Sequence, residues 1–248
     1  TGTYDHDEDG DGVVDWRDAN HDGLADTDTF GIGSVGRNGD VTNTTVDHAV
    51  LVGLQRALWA SAVQPTHTNH TVNFHDNKVI SIGSSNLNGV GALVTSADGL
   101  TVQDNTIVGT NFGIVTDNAA QTGYPIEIAG NHFGSAPSWP TATSYGAIQL
   151  QHTKFMPKES NLIHDNTVSS WKGYGIALLG GGTSTGVSIY ANHLTDVLSI
   201  AFDFEELTGS DPFDVEVRNN DATLAAGPPT DTEGFYLNFS GGLSKLSI

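Results

Sequence analysis

Six short segments decide the fold: Val72-Asn73-Phe74-His75-Asp76-Asn77, Leu100-Thr101-Val102-Gln103-Asp104-Asn105, Ile126-Glu127-Ile128-Ala129-Gly130-Asn131, Asn161-Leu162-Ile163-His164-Asp165-Asn166, Val187-Ser188-Ile189-Tyr190-Ala191-Asn192 and Val215-Glu216-Val217-Arg218-Asn219-Asn220. Apolar residues recur at every second position, the signature of a strand, and each segment closes on Asn. Successive closing Asn residues lie 28, 26, 35, 26 and 28 positions apart. Periods of this size mean a repeat architecture.

A second strand follows each Asn, as in Phe112-Gly113-Ile114-Val115, Tyr174-Gly175-Ile176-Ala177-Leu178 and Gly234-Phe235-Tyr236-Leu237-Asn238-Phe239. No helix-length segment intervenes, so a βαβ arrangement is excluded. The hairpin turns of a β-sandwich would not return the same Asn to the same phase in every repeat. The pattern resembles the right-handed parallel β-helix of pectate-lyase-like repeat proteins. In that family, Asn residues at equivalent bends stack and hydrogen-bond to the backbone of adjacent coils. The resemblance covers residues 70–242 and implies an all-β fold of about six coils.

Composition frames this core. The chain has 248 residues, 37% of them hydrophobic, enough for one large domain with a real interior. It has no Cys, which removes disulfides, thiolate metal sites and a cysteine nucleophile. With 29 Asp+Glu against 9 Lys+Arg, the net charge of −20 argues against nucleic acid as a partner. No apolar run reaches the roughly 18 residues of a membrane span, and no signal peptide is evident. With Thr1 at its start, the chain reads as a processed or excised piece of a longer one.

The charge is concentrated. Residues 1–28 hold ten acids against the single base Arg17, and residues 203–216 hold six acids and no base. Within the first stretch, Asp7 to Asp15 and Asp18 to Asp26 both read D-x-[DN]-x-D-G-x-x-D. Oxygens at positions 1, 3, 5 and 9 and a carbonyl at position 7 suit a hard cation. The expected ligands are Asp7, Asp9, Asp11, Val13 and Asp15, then Asp18, Asn20, Asp22, Leu24 and Asp26. The competing reading is a disordered acidic linker. The tandem loops resemble thrombospondin type 3 repeats and, more distantly, dockerin loops. That resemblance implies calcium as a structural cofactor of an extracellular or cell-surface protein.

Between the two parts, Val50, Leu51, Leu54, Leu58 and Ala62 fall at helical steps, with Asp47 as N-cap and Pro65 beyond. The spacing predicts a helix over residues 47–63 that caps an open β-helix end. A helix that docks a partner subunit is the competing reading. The expected organisation is therefore 1–30 acidic loops, 31–69 linker and capping helix, and 70–248 parallel β-helix.

Candidate chemistry follows from alternation in Ile200-Ala201-Phe202-Asp203-Phe204-Glu205. With Ile200, Phe202 and Phe204 inside, Asp203 and Glu205 point outward about 7 Å apart. Such a pair suits acid/base glycoside cleavage or a second calcium ion, and is the catalytic candidate. The competing reading is a solvated outer face. Asp117, Gln149, Gln151, Tyr236 and Asn238 fall at outward positions of the other coils and are the candidate sugar-binding residues. Lyases on this fold commonly need a Lys or Arg base, for which Lys154, Lys158 and Lys172 are nearest. Val46-Asp47-His48 resembles a pectate lyase tripeptide over those three residues alone. The ten His are scattered without the i, i+4 spacing of zinc enzymes.

Two functions follow. One is a secreted, calcium-stabilised β-helix that binds or processes extracellular polysaccharide, and that acts, if an enzyme, as a polysaccharide lyase or glycoside hydrolase. The other is a structural cell-surface protein, such as an adhesin stalk, surface-layer component or filament subunit, self-associating through its coil ends.

Overall fold

In the computed structural model, the structure describes residues 30–36, 40–52, 56–62, 69–80, 90–95, 97–110, 112–117, 125–135, 146–151, 161–179, 186–205, 213–225, 233–238 and 243–247. Every regular element among them is a β-strand, and every pairing is parallel. The chain winds through three sheets in turn. Sheet A contains Phe30–Gly36, Arg56–Ala62, Val90–Thr95, Phe112–Asp117, Gly146–Gln151, Tyr174–Leu179, Ile200–Glu205 and Glu233–Asn238. Sheet B contains Val41–Asp47, Asn69–His75, Ala97–Gln103, Ile126–Ala129, Asn161–His164, Gly186–Tyr190, Phe213–Arg218 and Leu243–Ser247. Sheet C contains Val50–Val52, Lys78–Ile80, Thr106–Thr110, His132–Ser135, Thr167–Ser169, His193–Val197 and Asp221–Leu224. Each strand pairs with its counterpart one coil away, which is the parallel β-helix expected from the Asn repeats.

The bend from sheet B to sheet C shows why those Asn residues recur. Asn77, Asn105, Asn131, Asn166 and Asn192 are buried in a row. The Asn105 Nδ2 group donates to the Phe74 carbonyl (2.7 Å) and to Asn131 Oδ1 (2.9 Å). Its own Oδ1 accepts from the Asn77 backbone N–H (2.9 Å) and from Asn77 Nδ2 (3.0 Å). A carboxamide offers two donors and two lone pairs, so all four are used. The same links run through Asn131, Asn166 and Asn192 to Asn220. The residue before each Asn turns the corner with positive φ, Asp76 (55°), Asp104 (54°), Gly130 (66°), Asp165 (54°), Ala191 (53°) and Asn219 (53°), as does His48 (52°) before Ala49 in the first coil. Asp, Asn and Gly tolerate this left-handed conformation best, which explains the recurring Asp-Asn and Gly-Asn pairs.

The interior is a stack of in-register apolar columns. Leu58, Ala92, Ile114, Ile148, Ile176 and Phe202 pair in succession along sheet A. Phe202 then stacks on Phe235 with ring centroids 4.7 Å apart. At the entry to sheet A a column of small residues runs through Ala57, Gly91, Gly113, Ala147, Gly175 and Ala201. The backbone of the next coil passes too close for more: a Cβ on Gly113 would lie 2.2 Å from the Ala147 carbonyl oxygen and 2.5 Å from Phe133 Cδ1.

Two expectations are corrected. Residues 47–63 do not form a capping helix. Their described part ends the sheet B strand Val41–Asp47, turns at His48 and Ala49, and continues as Val50–Val52 in sheet C and Arg56–Ala62 in sheet A, in line with the other coils. The apolar spacing there fits inward Leu51, Leu58 and Ala60 equally well, and Asn77 draws the segment into the stack. Its Oδ1 accepts from the Ala49 N–H (2.9 Å), and its Nδ2 donates to the Val46 carbonyl (2.9 Å). With Ala49 in place of Asn, this coil was not visible as a repeat, so the stack is longer than about six coils. Each coil also has three strands rather than two, because the sheet C strands are as short as Thr167–Ser169.

Two predictions follow from this packing. Asn131→Ala should cost about 3 kcal/mol or more, since it strands buried partners on two coils. Asn220→Ala, at the half-buried end of the row, should cost clearly less. Urea unfolding of both variants checks the order, and equal losses would refute the ladder's role. Gly113→Ala should destabilise strongly, whereas Gly134→Ala, where a Cβ meets nothing closer than 3.5 Å, should shift the melting temperature little.

Candidate functional site

The outward column of sheet A is the one that the alternation of residues 200–205 predicts. Register pairs Gln149 with Ala177, Ala177 with Asp203 and Asp203 with Tyr236. The column beside it pairs Asp117 with Gln151, Gln151 with Leu179, Leu179 with Glu205 and Glu205 with Asn238. Strand stacking therefore gathers residues from distant parts of the sequence onto one face. Of the Asp117 side chain nothing further is described.

Burial corrects the simple picture of a solvated face. Asp203 is 0% exposed and Gln149 2% exposed, with Ala177 and Val115 also buried on the same outward column. Gln151 and Glu205 are half-buried, Tyr236 likewise, and Asn238 is exposed. Gln149 spends its Oε1 on the Gly146 backbone N–H (2.8 Å), which fixes its own strand rather than leaving it to a ligand. The first column is thus enclosed and the second open. Alternation reports only which side of a strand faces the coil interior, so this enclosure was not legible in the sequence.

Among the described residues, Asp203 is the electrostatic exception. Among the described residues its carboxyl oxygens have no close hydrogen-bond partner, and its coupling is to the neighbouring Glu205 carboxyl. Burial, then the neighbouring Glu205, then the charge of Glu233 push its pKa from 3.8 up to about 7. The carboxyl therefore stays protonated close to neutrality, the condition of a general acid rather than of a cation ligand.

The outer face of sheet B carries a second polar group. His164 Nδ1 lies 2.7 Å from Asp165 Oδ2, and its Nε2 lies 3.4 Å from Glu127 Oε1. Its ring stacks on Tyr190 (4.8 Å, 3°), over which the Arg218 guanidinium sits at 4.2 Å. This is a closed stack along three coils. At the first bends, His48 and His75 approach each other edge to face at 6.4 Å. Sequence spacing missed that pair, because its members are neighbours only in the coil register.

The raised Asp203 pKa sets a pH dependence. The folded chain holds a proton that the unfolded chain releases, so this group favours folding below about pH 4 and loses that contribution as the pH rises through 7. Asp203→Asn should therefore be more stable than the parent at pH 8, by up to about 4 kcal/mol, with the difference vanishing near pH 4. Thermal melts of both proteins across that range test this, and a variant less stable at pH 8 would refute it.

Comparison with known proteins now adds the family. The family described as "Periplasmic copper-binding protein (NosD)" matches residues 33–205. No curated protein and no solved structure matches the chain. The family description overturns calcium as the cofactor, since the metal it names is copper. The acidic loops read as calcium ligands, Asp7 to Asp26, lie outside both the matched span and the described residues. Among the described residues, no helix is long and apolar enough to cross a membrane. The family is periplasmic by description, so its location is outside the cytoplasm. A stacked parallel β-helix and a match over more than half its length establish that the chain belongs to the NosD family of periplasmic copper-binding proteins.

Proposed function

We propose that the chain is an extracytoplasmic β-helix that binds a glycan on the outward face of sheet A and cleaves it with Asp203 and Glu205. One observation carries this reading: an enclosed carboxyl, protonated near neutrality, sits two residues from a half-exposed second carboxyl. Glycoside cleavage needs a proton for the leaving oxygen and a second carboxylate on the sugar carbon or its attacking water. Glu205, half-exposed on the open column, meets the sugar, and Asp203, enclosed beside it, holds the proton that the coupled pair shares. Gln151 and Asn238 share the open column with Glu205, while Tyr236 borders Asp203, so these three are the sugar-binding positions, with Asp117 farther along and Gln149 holding the strand.

The test is release of reducing ends from a panel of neutral and acidic polysaccharides. Asp203→Asn and Glu205→Gln should each lower turnover by roughly 10²–10⁴ without loss of fold. Full activity in the double variant, or neither binding nor cleavage across the panel, would refute the proposal.

A second reading is copper binding, taken from the family description and favoured by the His48–His75 pair. The donor set limits how copper could be held. The chain has no Cys and one Met against ten His, so imidazole ligation fits and a thiolate or thioether cluster does not. Among the described residues, no three His, Asp or Glu side chains form a group that could hold a metal ion. The described residues therefore do not by themselves assemble a copper centre.

A further inference from the structure

We propose that Thr195, His193 and Asp221 form a second site, on the outer face of sheet C, that hydrolyses short-chain carboxylic esters by acyl transfer through the Thr195 hydroxyl. The site is separate from the sheet A pair and needs none of its residues. His193 and Thr195 lie two residues apart on the strand His193–Val197, and Leu194 between them is buried in the core. Alternation therefore turns both outward. Register sets Asp221 of the next coil beside His193. His193 Nδ1 lies 2.6 Å from Asp221 Oδ1, and its Nε2 lies 3.2 Å from Thr195 Oγ1. An ionised carboxylate only accepts, so Nδ1 carries the ring proton and the Nε2 lone pair accepts from the Thr195 hydroxyl. A hydroxyl, a base and a group that orients the base thus stand in line, as nucleophilic catalysis requires.

His164 marks the contrast. Its Nδ1 also meets a carboxylate, but its Nε2 faces the second carboxylate of Glu127 at 3.4 Å instead of a hydroxyl. Thr223 completes the sheet C site. Its Oγ1 accepts the Asp196 backbone N–H at 3.1 Å. That bond holds Thr223 against the Thr195–Asp196 peptide and leaves its own proton to donate to an oxyanion formed there. In the first step Thr195 Oγ1 bonds to the acyl carbon while Nε2 takes its proton. The ester C–O bond then breaks, and the alcohol leaves with that proton. Water adds to the acyl carbon, giving a proton to Nε2, and the bond to Oγ1 breaks. Thr195 regains its hydrogen from Nε2, and the carboxylic acid departs. The His193 and Asp221 side chains are 59% and 71% exposed. So open a site encloses no long acyl chain, which points to a short acyl group, such as acetyl, on an accessible alcohol.

The test is hydrolysis of p-nitrophenyl acetate by the full chain, with mass spectrometry of protein quenched during turnover. Release of p-nitrophenol above the rate of free imidazole is expected, together with an acetyl group on Thr195. Thr195→Val, which keeps the side-chain shape, and His193→Gln should each lower turnover roughly 10²-fold or more. Thr195→Ser should retain turnover, and Thr223→Val should show a smaller loss. Asp221 is a positioning residue, acting through His193, so Asp221→Asn should lower kcat and leave KM unchanged. These positions are exposed or half-buried, so the melting temperatures of the variants should match the parent. His164→Gln, on the other sheet, should be fully active. No hydrolysis by the parent, full turnover in Thr195→Val, or an equal loss in His164→Gln would each overturn the proposal.

Discussion

A parallel β-helix must turn a corner on every coil without leaving backbone groups unpaired, and the Asn carboxamide meets that demand here. Buried N–H and C=O groups cost about 1–3 kcal/mol each when orphaned. Each interior Asn satisfies a carbonyl on the preceding coil and hands its own oxygen to the backbone and side chain of that coil's Asn. The positive-φ residue before it aims the backbone so that these bonds form. Because every link spans two coils, the ladder fixes register as well as satisfying the bend. That register brings outward side chains from separate repeats into columns.

The same regularity makes the departures informative. Along the interior, columns of Leu, Ile, Val and Phe follow the expected pattern. Along the outward face of sheet A, Asp203 breaks it, as an enclosed carboxyl whose neighbour is another acid, Glu205. Such a position costs folding energy, and costs of that kind are retained most often where they serve chemistry. On the outer face of sheet B, the His164–Tyr190–Arg218 stack closes upon itself, whereas His48 and His75 meet only edge to face.

Much of this fold was legible in one sequence because its repeats are punctuated chemically. The closing Asn and the turn residue before it mark the bend independently of hydrophobicity, so parallel stacking followed from spacing alone. What failed to show lacked punctuation. The first coil carries Ala49 at the bend, and its apolar residues suit a helical face as well as a coil. The sheet C strands, such as Thr167–Ser169, are too short to display alternation. The columns around Asp203 and Glu205 were readable as outward, but their burial was not, since period two is silent about what lies over the outside. The calcium expectation drew on a local acidic motif, and no such motif names the family of the coils that follow. The His48–His75 pair emerges only after the coils are aligned.

The coil between Asn131 and Asn166 spans 35 residues where its neighbours span 26 to 28. Yet the Asn131 N–H reaches Asn166 Oδ1 at 3.0 Å, as Asn105 reaches Asn131. Distance along the chain and distance in space are thus uncoupled at this point. A stretch added between strands leaves the ladder and the core columns in phase, so selection can lengthen one coil without retuning its neighbours. The architecture works as a chassis, with interior rungs held to a common gauge and the connecting segments free to diverge.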